Sequence, residues 1–432
     1  MSYSLTMFRT RQLILLLGDT FAFVSAFLIM ALVRFDEGLL TENAHLQAKL
    51  FATVFVVWLV VFFVFDLYTY TRINPTPRTI GLIIGAMITN ISLSVLIFYL
   101  FPTQGITPKT NLAIVAVISL TLVVVWRRSF YQLFSQTFTR RIGIIGASES
   151  AHSLKDLISD HPHIGTISFH SQELGEHQGA DLIIAENMSA DTFLALSRSL
   201  GTERMSVIQA YQTLFGKVPL SLMTDEHALS IITKERSGLF IFTRIVEILV
   251  GLLVLIITSP VLLIAIIARF IEDGRPIFIR QTRVGKDGNI FKLYKLRSMK
   301  ALNTDGSAEI GGVQWAEKND PRITPLGRIL RKTHIDEIPQ MYNIIRGDLA
   351  LIGPRPERPE IVADLESQIP YYYLRHTVRP GFTGWAQIKF RYARTVLDSQ
   401  EKFEYDLYYL MNRHPVLDVG IFIKTIQIIF TH

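Results

Sequence analysis

Four long apolar runs fill the first third of the chain: Leu13–Val33, Leu50–Leu67, Ile80–Phe101 and Leu112–Trp126. Each comes near the ~20 residues with which an α-helix crosses a bilayer. The pattern predicts a four-helix transmembrane bundle over residues 1–130. The first run is too long for a cleavable signal peptide and lacks a small-residue cleavage site. After Arg141 the rhythm shortens. Ile142–Ala147 reads as a buried strand ending at a glycine, Ser150–Ile158 as a helix, and Asp181–Ala185 and Ser206–Ala210 as further strands. Residues 141–235 are therefore expected to form a small Rossmann-like α/β domain, with Leu214–Leu229 as a linker. A third, α/β domain spans 240–432. It opens with a fifth apolar run, Ile245–Ile271. Pro276–Val284 and Ile290–Leu296 flank Lys286-Asp287-Gly288-Asn289, a hairpin signal. Lys300–Pro321 is polar and reads as a loop. A helix is expected to start near Asp336, to show Ile338, Met341, Tyr342 and Ile345 on one face, and to stop at Gly347. Val416–Phe430 reads as a helix, either lying on the bilayer surface or buried.

Flanking charges orient the spans. Arg9 and Arg11 precede the first, Arg72 and Arg78 lie in the second loop, and Arg127, Arg128, Arg140 and Arg141 follow the fourth. The first loop carries Asp36, Glu37 and Glu42 instead. By the positive-inside rule both ends of the bundle are expected to face the cytoplasm. Asp19 and Asp66 lie within or beside spans, as functional acids or as polar contacts between helices. The fifth run is long enough to span, yet Ser259-Pro260 interrupts its middle, where proline removes a helix hydrogen bond. Lys234, Arg236 and Arg244 precede it, and Arg269, Arg275 and Arg280 follow it. A kinked, re-entrant helix broken at Ser259 and Pro260 is expected. An ordinary fifth span with a tolerated proline is the alternative.

Composition agrees with a membrane protein that carries a sizeable water-facing part. Hydrophobic residues make up 49% of the 432. The formal charge of +6 suits anionic lipid headgroups or phosphate ligands. No recognition motif for nucleic acid accompanies it. The chain has no cysteine, which excludes disulfides, thiolate nucleophiles and zinc–cysteine sites.

The candidate chemistry lies in the last third. Asp336 and Glu337 are adjacent, with Pro339 two residues on. At a helix start both acids can address one site, one attacking phosphorus while the other holds a metal. An N-cap aspartate beside an exposed glutamate is the plainer reading. Arg280, Arg283, Lys286, Lys292, Lys295 and Arg297 crowd the hairpin, either as a solvated face or as a phosphate cradle. Pro354-Arg355-Pro356 restricts where one guanidinium points. Trp385, in a glycine-rich turn, reads as an interface anchor or a core residue. Asp406 and Asp418 are acids in apolar surroundings. The turn Gly146-Ala147-Ser148-Glu149-Ser150-Ala151 keeps only the first glycine of a dinucleotide fingerprint, which hinders approach to a pyrophosphate.

Residues Thr243 to His432 resemble the catalytic domain of the monotopic bacterial sugar transferases, which are polyprenyl-phosphate phosphoglycosyl transferases. The matching pieces are Ser259-Pro260 in an apolar helix, then KLYKLRSMK, IDEIPQMYNIIRGD, IGPRP, RPGFTGWAQI and YDLYYL, in the family's order. Four preceding spans and a short α/β domain are similar to the large members that start exopolysaccharide or capsule repeat units. The resemblance implies transfer of sugar-1-phosphate from a UDP-sugar to undecaprenyl phosphate, with release of UMP. It implies Asp336 as the nucleophile and carrier of a phospho-sugar intermediate, and Glu337 as a ligand of magnesium. It implies Arg331 and Arg355 on phosphate and Asp406 as an acid near the site; on the cradle reading of the hairpin, Lys295, Arg297 and Arg280 are expected as further phosphate-binding cations. A re-entrant helix would keep this domain beside cytoplasmic nucleotide and membrane lipid together. A homodimer is compatible with all of this. Two other classes stay open: a membrane-anchored sugar-nucleotide dehydratase or epimerase, and a non-enzymatic assembly scaffold.

Overall fold

The computed structural model describes residues 3–34, 42–65, 67–68, 76–100, 108–134, 141–161, 164–171, 180–186, 203–233, 240–301, 303, 320–390 and 395–430. The chain divides into two compact units, Met1–Val207 and Ile208–His432. Asp66 and the loop residues Asp36, Glu37, Arg72 and Arg140 lie outside the described residues, as do Lys234, Arg236 and most of Lys300–Pro321.

The first unit begins with helices α1 (Tyr3–Arg34), α2 (Glu42–Val64), α3 (Pro77–Leu100) and α4 (Pro108–Phe134). Each contains a segment long and apolar enough to cross a membrane. Aromatic rings fill their core. Phe23 meets Trp58 edge-on at 5.2 Å and Phe62 at 5.4 Å. Asp19 is fully buried and accepts from Arg127 of α4 at 2.5 Å, while the same guanidinium donates to the Leu67 carbonyl. Asp19 is thus a polar contact between helices, because a lone buried charge would be far costlier than a paired one.

The rest of this unit is a parallel sheet of β1 (Arg141–Ile145), β2 (Thr166–Ser171), β3 (Leu182–Ala185) and β4 (Glu203–Ser206), in the order β2-β1-β3-β4. Helix α5 (Glu149–Ser159) follows β1, capped by Ser148. The expected strand Ser206–Ala210 ends at Ser206, and Val207–Ala210 is helical. Val207, Ala210 and Tyr211 are all buried, and that spacing shares one face of a helix but not of a strand. At the Gly146 turn, Glu186 Oε2 accepts from the amides of Ala147 and Ser148 at 3.1 and 3.0 Å. A carboxylate of the chain itself therefore occupies the amides that a phosphate would need.

In the second unit, Leu214–Leu229 is not a linker. It holds a 3-10 turn (Leu220–Leu222) and most of a helix (Asp225–Ile232). Val218, Met223, Ala228 and Ile231 are buried among Leu365, Tyr372, Phe403 and Leu407. These elements are too short for their periodicity to stand out along the chain.

The long apolar helix, Phe240–Asp273, runs unbroken through Pro260, against the expected break at Ser259 and Pro260. Proline has no N–H for the Ile256 carbonyl, but Ser259 Oγ donates to that oxygen at 2.8 Å. Its 34 residues make a rod of about 50 Å. One stripe faces the domain: Glu247, Gly251, Val254, Leu262, Ala265 and Arg269. The opposite face leaves Ile256, Ile257, Ile264 and Ile271 exposed, a surface suited to lipid. Both ends are pinned. Arg244 donates to the carbonyls of Ile344 and Ile345 at 2.6 and 2.7 Å, and Glu247 accepts from Arg379 at 2.8 Å. Arg269 is fully buried on Glu272, Asp273 and Thr324.

A hairpin of β5 (Phe278–Val284) and β6 (Ile290–Leu296) follows, as expected, with Asp287 and Gly288 at positive φ in its turn. Short parallel strands β7 (Ala350–Ile352) and β8 (Gly381–Thr383) pair in a separate sheet. Their backbones interlock: a Cβ on Gly381 would fall 2.1 Å from Gly353 N, and one on Gly384 2.1 Å from Gly353 O. Gly381→Ala is therefore expected to lower stability by at least ~2 kcal/mol through forced backbone shifts. Thermal unfolding of the purified variant checks this, and an unchanged midpoint would refute the close approach.

Candidate functional site

The site is built around a sharp reversal of the chain. Helix Pro325–Lys332 starts at Thr324, whose hydroxyl accepts from Gly327 N at 3.0 Å. It ends short of His334, which adopts the left-handed conformation (φ 56°). A 3-10 turn, Ile335–Glu337, comes next. Helix Gln340–Arg346 then runs to Gly347 (φ 98°). Asp336 therefore sits in the 3-10 turn and not in the first turn of the α-helix. The later start also shifts the buried face to Met341, Asn343 and Ile344, leaving Tyr342 51% exposed. Asn343 ties this helix to β6. Its amide donates to the Lys292 carbonyl at 2.7 Å, and its oxygen accepts from Tyr294 N at 3.1 Å.

That tie sets Lys295, one residue beyond Tyr294, against the acidic pair. Lys295 Nζ donates to Glu337 Oε1 at 3.0 Å, and Arg355 Nη2 donates to the same oxygen at 3.1 Å. Burial alone would raise the Glu337 pKa, but the two cations hold it far below the usual carboxylate range. Asp336 is 7% exposed. Burial, reinforced by the Glu337 charge, pushes its pKa up to about 6, against the pull of Lys295, Arg331 and His334. The two neighbours are thus driven apart, one firmly ionised and one close to neutral pH, an arrangement typical of reacting carboxylates.

The expected residues fall into three groups. Asp336, Glu337, Lys295 and Arg355 meet directly, and Arg331 lies close enough to act on Asp336. Arg280 stacks on the Tyr294 ring at 5.6 Å. Arg297 and Asp406 have other partners. Arg297 is buried at the end of the long helix, donating to the carbonyls of Asp273 and Gly274. Asp406 pairs with Arg375 at 3.1 Å, and Arg375 also donates to the Arg355 carbonyl at 2.9 Å. Asp406 thus acts through Arg375 on the backbone of the Pro354-Arg355-Pro356 turn. Glu357 was missed by sequence reasoning. It accepts from Lys402 at 2.8 Å, and its carbonyl accepts from Val284 N. Its place directly after Pro356 was the available signal.

Among the described residues no cluster of three metal-ligating side chains exists. Magnesium needs fewer, because it keeps waters and binds through one or two carboxylates together with substrate phosphates. Both cations use Oε1 of Glu337, and Oε2 has no partner among the described residues. That oxygen and Asp336 fit such a site.

Raising the Asp336 pKa above its ordinary 3.8 has a cost in stability. The folded state prefers the protonated acid, so stability is lost as pH rises from 3.8 towards about 6 and the loss persists above. Asp336→Asn should therefore stabilise the protein by about 2–3 kcal/mol near pH 7.5 without divalent cations, and by less than half as much near pH 4.5. Unfolding midpoints at the two pH values check this, and an equal gain at both would contradict the electrostatic account.

A family model described as "Bacterial sugar transferase" matches residues 239–432. Over 224 residues the chain is 38% identical to a UDP-N-acetylgalactosamine-undecaprenyl-phosphate N-acetylgalactosaminephosphotransferase of Aeromonas hydrophila, covering 52% of this chain and 51% of that protein. It is 39% identical over 188 residues to a UDP-glucose:undecaprenyl-phosphate glucose-1-phosphate transferase of Klebsiella pneumoniae, covering 43% of this chain and 39% of that protein. The chain thus spans about half, or less, of the length of these two relatives. It is 35% identical over 191 residues to the exopolysaccharide production protein PSS of Rhizobium leguminosarum bv. phaseoli, covering 43% of this chain and 94% of that protein. With its acidic pair, its arginine turn and its apolar helix in one matched stretch, the chain belongs to the bacterial sugar transferase family.

Proposed function

We propose that this protein transfers sugar-1-phosphate from a UDP-sugar to undecaprenyl phosphate, through a covalent intermediate on Asp336, as an early membrane step of exopolysaccharide or capsule synthesis. The observation that carries the reading is the split acidic pair. Glu337 is neutralised by Lys295 and Arg355, while Asp336 is buried beside it with a raised pKa. Such a carboxylate gains by losing its charge, and bonding to phosphorus does that.

In the first half-reaction an Asp336 oxygen attacks the sugar-bearing phosphorus. The bond from that phosphorus to the bridging oxygen breaks, and UMP leaves with the electron pair. In the second, a phosphate oxygen of the lipid attacks the same phosphorus and the aspartyl bond breaks, restoring the carboxylate. Lys295 and Arg355 stand where charge develops on phosphate oxygens. Glu337 Oε2, with Asp336, would hold magnesium, which would supply further charge neutralisation when bound. Asp406 and Arg375 hold the Arg355 turn in place.

The long helix supports a monotopic arrangement on the cytoplasmic face. One charged domain grips it at Arg244 and Glu247 near one end and at Arg269 near the other. An upright rod of about 50 Å would set those grips on opposite sides of a hydrocarbon core of ~30 Å. A rod lying along the membrane surface, with its exposed isoleucine face toward lipid and both grips on one side, avoids burying charged protein in lipid. The relatives' names supply the donor and acceptor classes, and they differ in the sugar.

UMP release from a panel of UDP-sugars with undecaprenyl phosphate tests the reaction. Asp336→Asn is expected to lower turnover by at least ~10³-fold and to abolish labelling by donor phosphate, as loss of a covalent nucleophile does. Near wild-type turnover in this variant would falsify the covalent route. Glu337→Gln is expected to weaken the response to magnesium and to slow UMP release by roughly 10²-fold or more.

A further inference from the structure

The stretch between the parallel sheet and the long apolar helix precedes residue 239, so it lies outside the part of the chain that matches the family model. From β4 the chain runs through a short helix (Val207–Ala210) and a π-helical turn (Tyr211–Phe215) into an arm, residues 216–232. Gly216 opens the arm in the left-handed region (φ 66°), where a Cβ would also fall 2.7 Å from Trp385 Cζ2. Trp385 donates to the Gly216 carbonyl at 2.6 Å and stacks on Tyr408 at 5.3 Å.

The arm holds two elements at once. Lys217 is buried and bridges Glu401 at 3.2 Å and Glu404 at 3.5 Å, both on helix Val396–Asn412. Glu404 also accepts from Leu220 N at 3.1 Å, and its carbonyl accepts from Val218 N at 3.0 Å. Further along the arm, Asp225 accepts from the Tyr371 hydroxyl at 2.8 Å. Tyr371 leads into the 3-10 helix Tyr372–His376. Between these anchors Val218, Met223 and Ile231 are buried in one cluster with Phe403 and Leu407 of the first element and Tyr372 and Leu374 of the second. These two elements carry the two halves of the ion pair behind the Arg355 turn. Asp406 and Lys402 stand on the helix, and Arg375 stands on the 3-10 helix. Arg375 pairs with Asp406 and donates to the Arg355 carbonyl, while Lys402 holds Glu357 directly after Pro356.

Resting on the reaction proposed above, we propose that the arm is a positioning element of the transferase, with Lys217 as its main residue. It clamps helix Val396–Asn412 to the 3-10 helix Tyr372–His376 and thereby sets where Arg355 stands on Glu337. Lys217 touches neither acid of the pair. It acts through Glu404 and Glu401 on the helix that carries Asp406, and through Asp406 on Arg375. The residue type suits the task. Acids three apart share one face of a helix, and an ammonium with three N–H donors serves both. Breaking a buried ion pair leaves a charge without its partner, so the clamp is stiff. The Arg355 side chain is 40% exposed and its bond to the acidic pair is a single one, to Glu337. Its placement therefore depends on the backbone that Arg375 holds.

A double-mutant cycle on the full chain in detergent, read by UMP release and by amide hydrogen exchange, tests the role. Lys217→Met is expected to slow UMP release roughly fivefold or more, with most of the rate recovered in Lys217→Arg. In an Asp406→Asn background the same substitution is expected to cost less than about twofold further, because the route to Arg355 is already cut. Exchange across residues 350–358 is expected to rise in Lys217→Met, while exchange across the hairpin, residues 278–296, stays at the wild-type level. Should Lys217→Met fail to fold, Tyr371→Phe removes one hydroxyl at the other anchor and is expected to raise the same exchange by a smaller amount. An arm that only adds stability would give losses that multiply with those of Asp406→Asn and would raise exchange throughout the domain. Either result, or unaltered exchange across residues 350–358, overturns the role. Wild-type protein that releases UMP from no UDP-sugar counts against the reaction instead, and the exchange pattern still judges whether the arm reaches the Arg355 turn.

Discussion

One carboxylate oxygen, Glu337 Oε1, accepts from two cations that approach from different parts of the domain. Lys295 comes from the hairpin and Arg355 from the proline-bracketed turn. A buried acid left unpaired would be costly, so this double pairing is what lets a second acid, Asp336, exist beside it. The surrounding packing serves that arrangement. Asn343 holds β6 to the helix after the acidic pair, and the interlocked glycines of β7 and β8 hold the strand that leads into the Arg355 turn. Arg375, anchored on Asp406, fixes the backbone of that turn from behind.

The same unit solves a second problem, which is how a water-facing domain grips a lipid-facing helix. An apolar rod offers few handles. The chain places them sparingly, with Glu247 and Arg244 near one end and Arg269 at the other, each matched to partners in the folded domain. Between these grips the contacts are aliphatic, and the outer face is left apolar and exposed. Ser259 returns to the Ile256 carbonyl the hydrogen bond that Pro260 removes, so the helix keeps its register through an apolar setting where an orphaned carbonyl would be expensive. The proposed chemistry needs donor and lipid acceptor to meet, and Ile335, directly before the acidic pair, packs on Leu262 and Ala265 of this helix.

Much of the architecture was legible along the chain. The four N-terminal helices and the hairpin fall where hydrophobic rhythm and turn residues predict them, because those signals are local. Other elements differ from their sequence reading. Ser206–Ala210 reads as a strand and Leu214–Leu229 as a linker because elements of three to eight residues carry too little periodicity to be told apart. Proline at position 260 predicted a break because the sequence does not say which hydroxyl will replace the lost donor. Asp336 reads as a helix start because Pro339 marks that start only to within a turn.

Sequence alone determined that the chain has long apolar helices and that a polar domain follows the fifth apolar run, and it marked Asp336, Glu337 and Arg355 as candidates. These follow from residue type and short-range spacing. Only the tertiary structure decided which cation serves which acid. It drew Lys295 and Arg355 to Glu337 across 42 and 18 residues, sent Arg297 to the end of the apolar helix, and gave Asp406 to Arg375. Charge has no direction along a chain; only packing brings particular groups within 3 Å and strips the water that would otherwise make their pairings interchangeable.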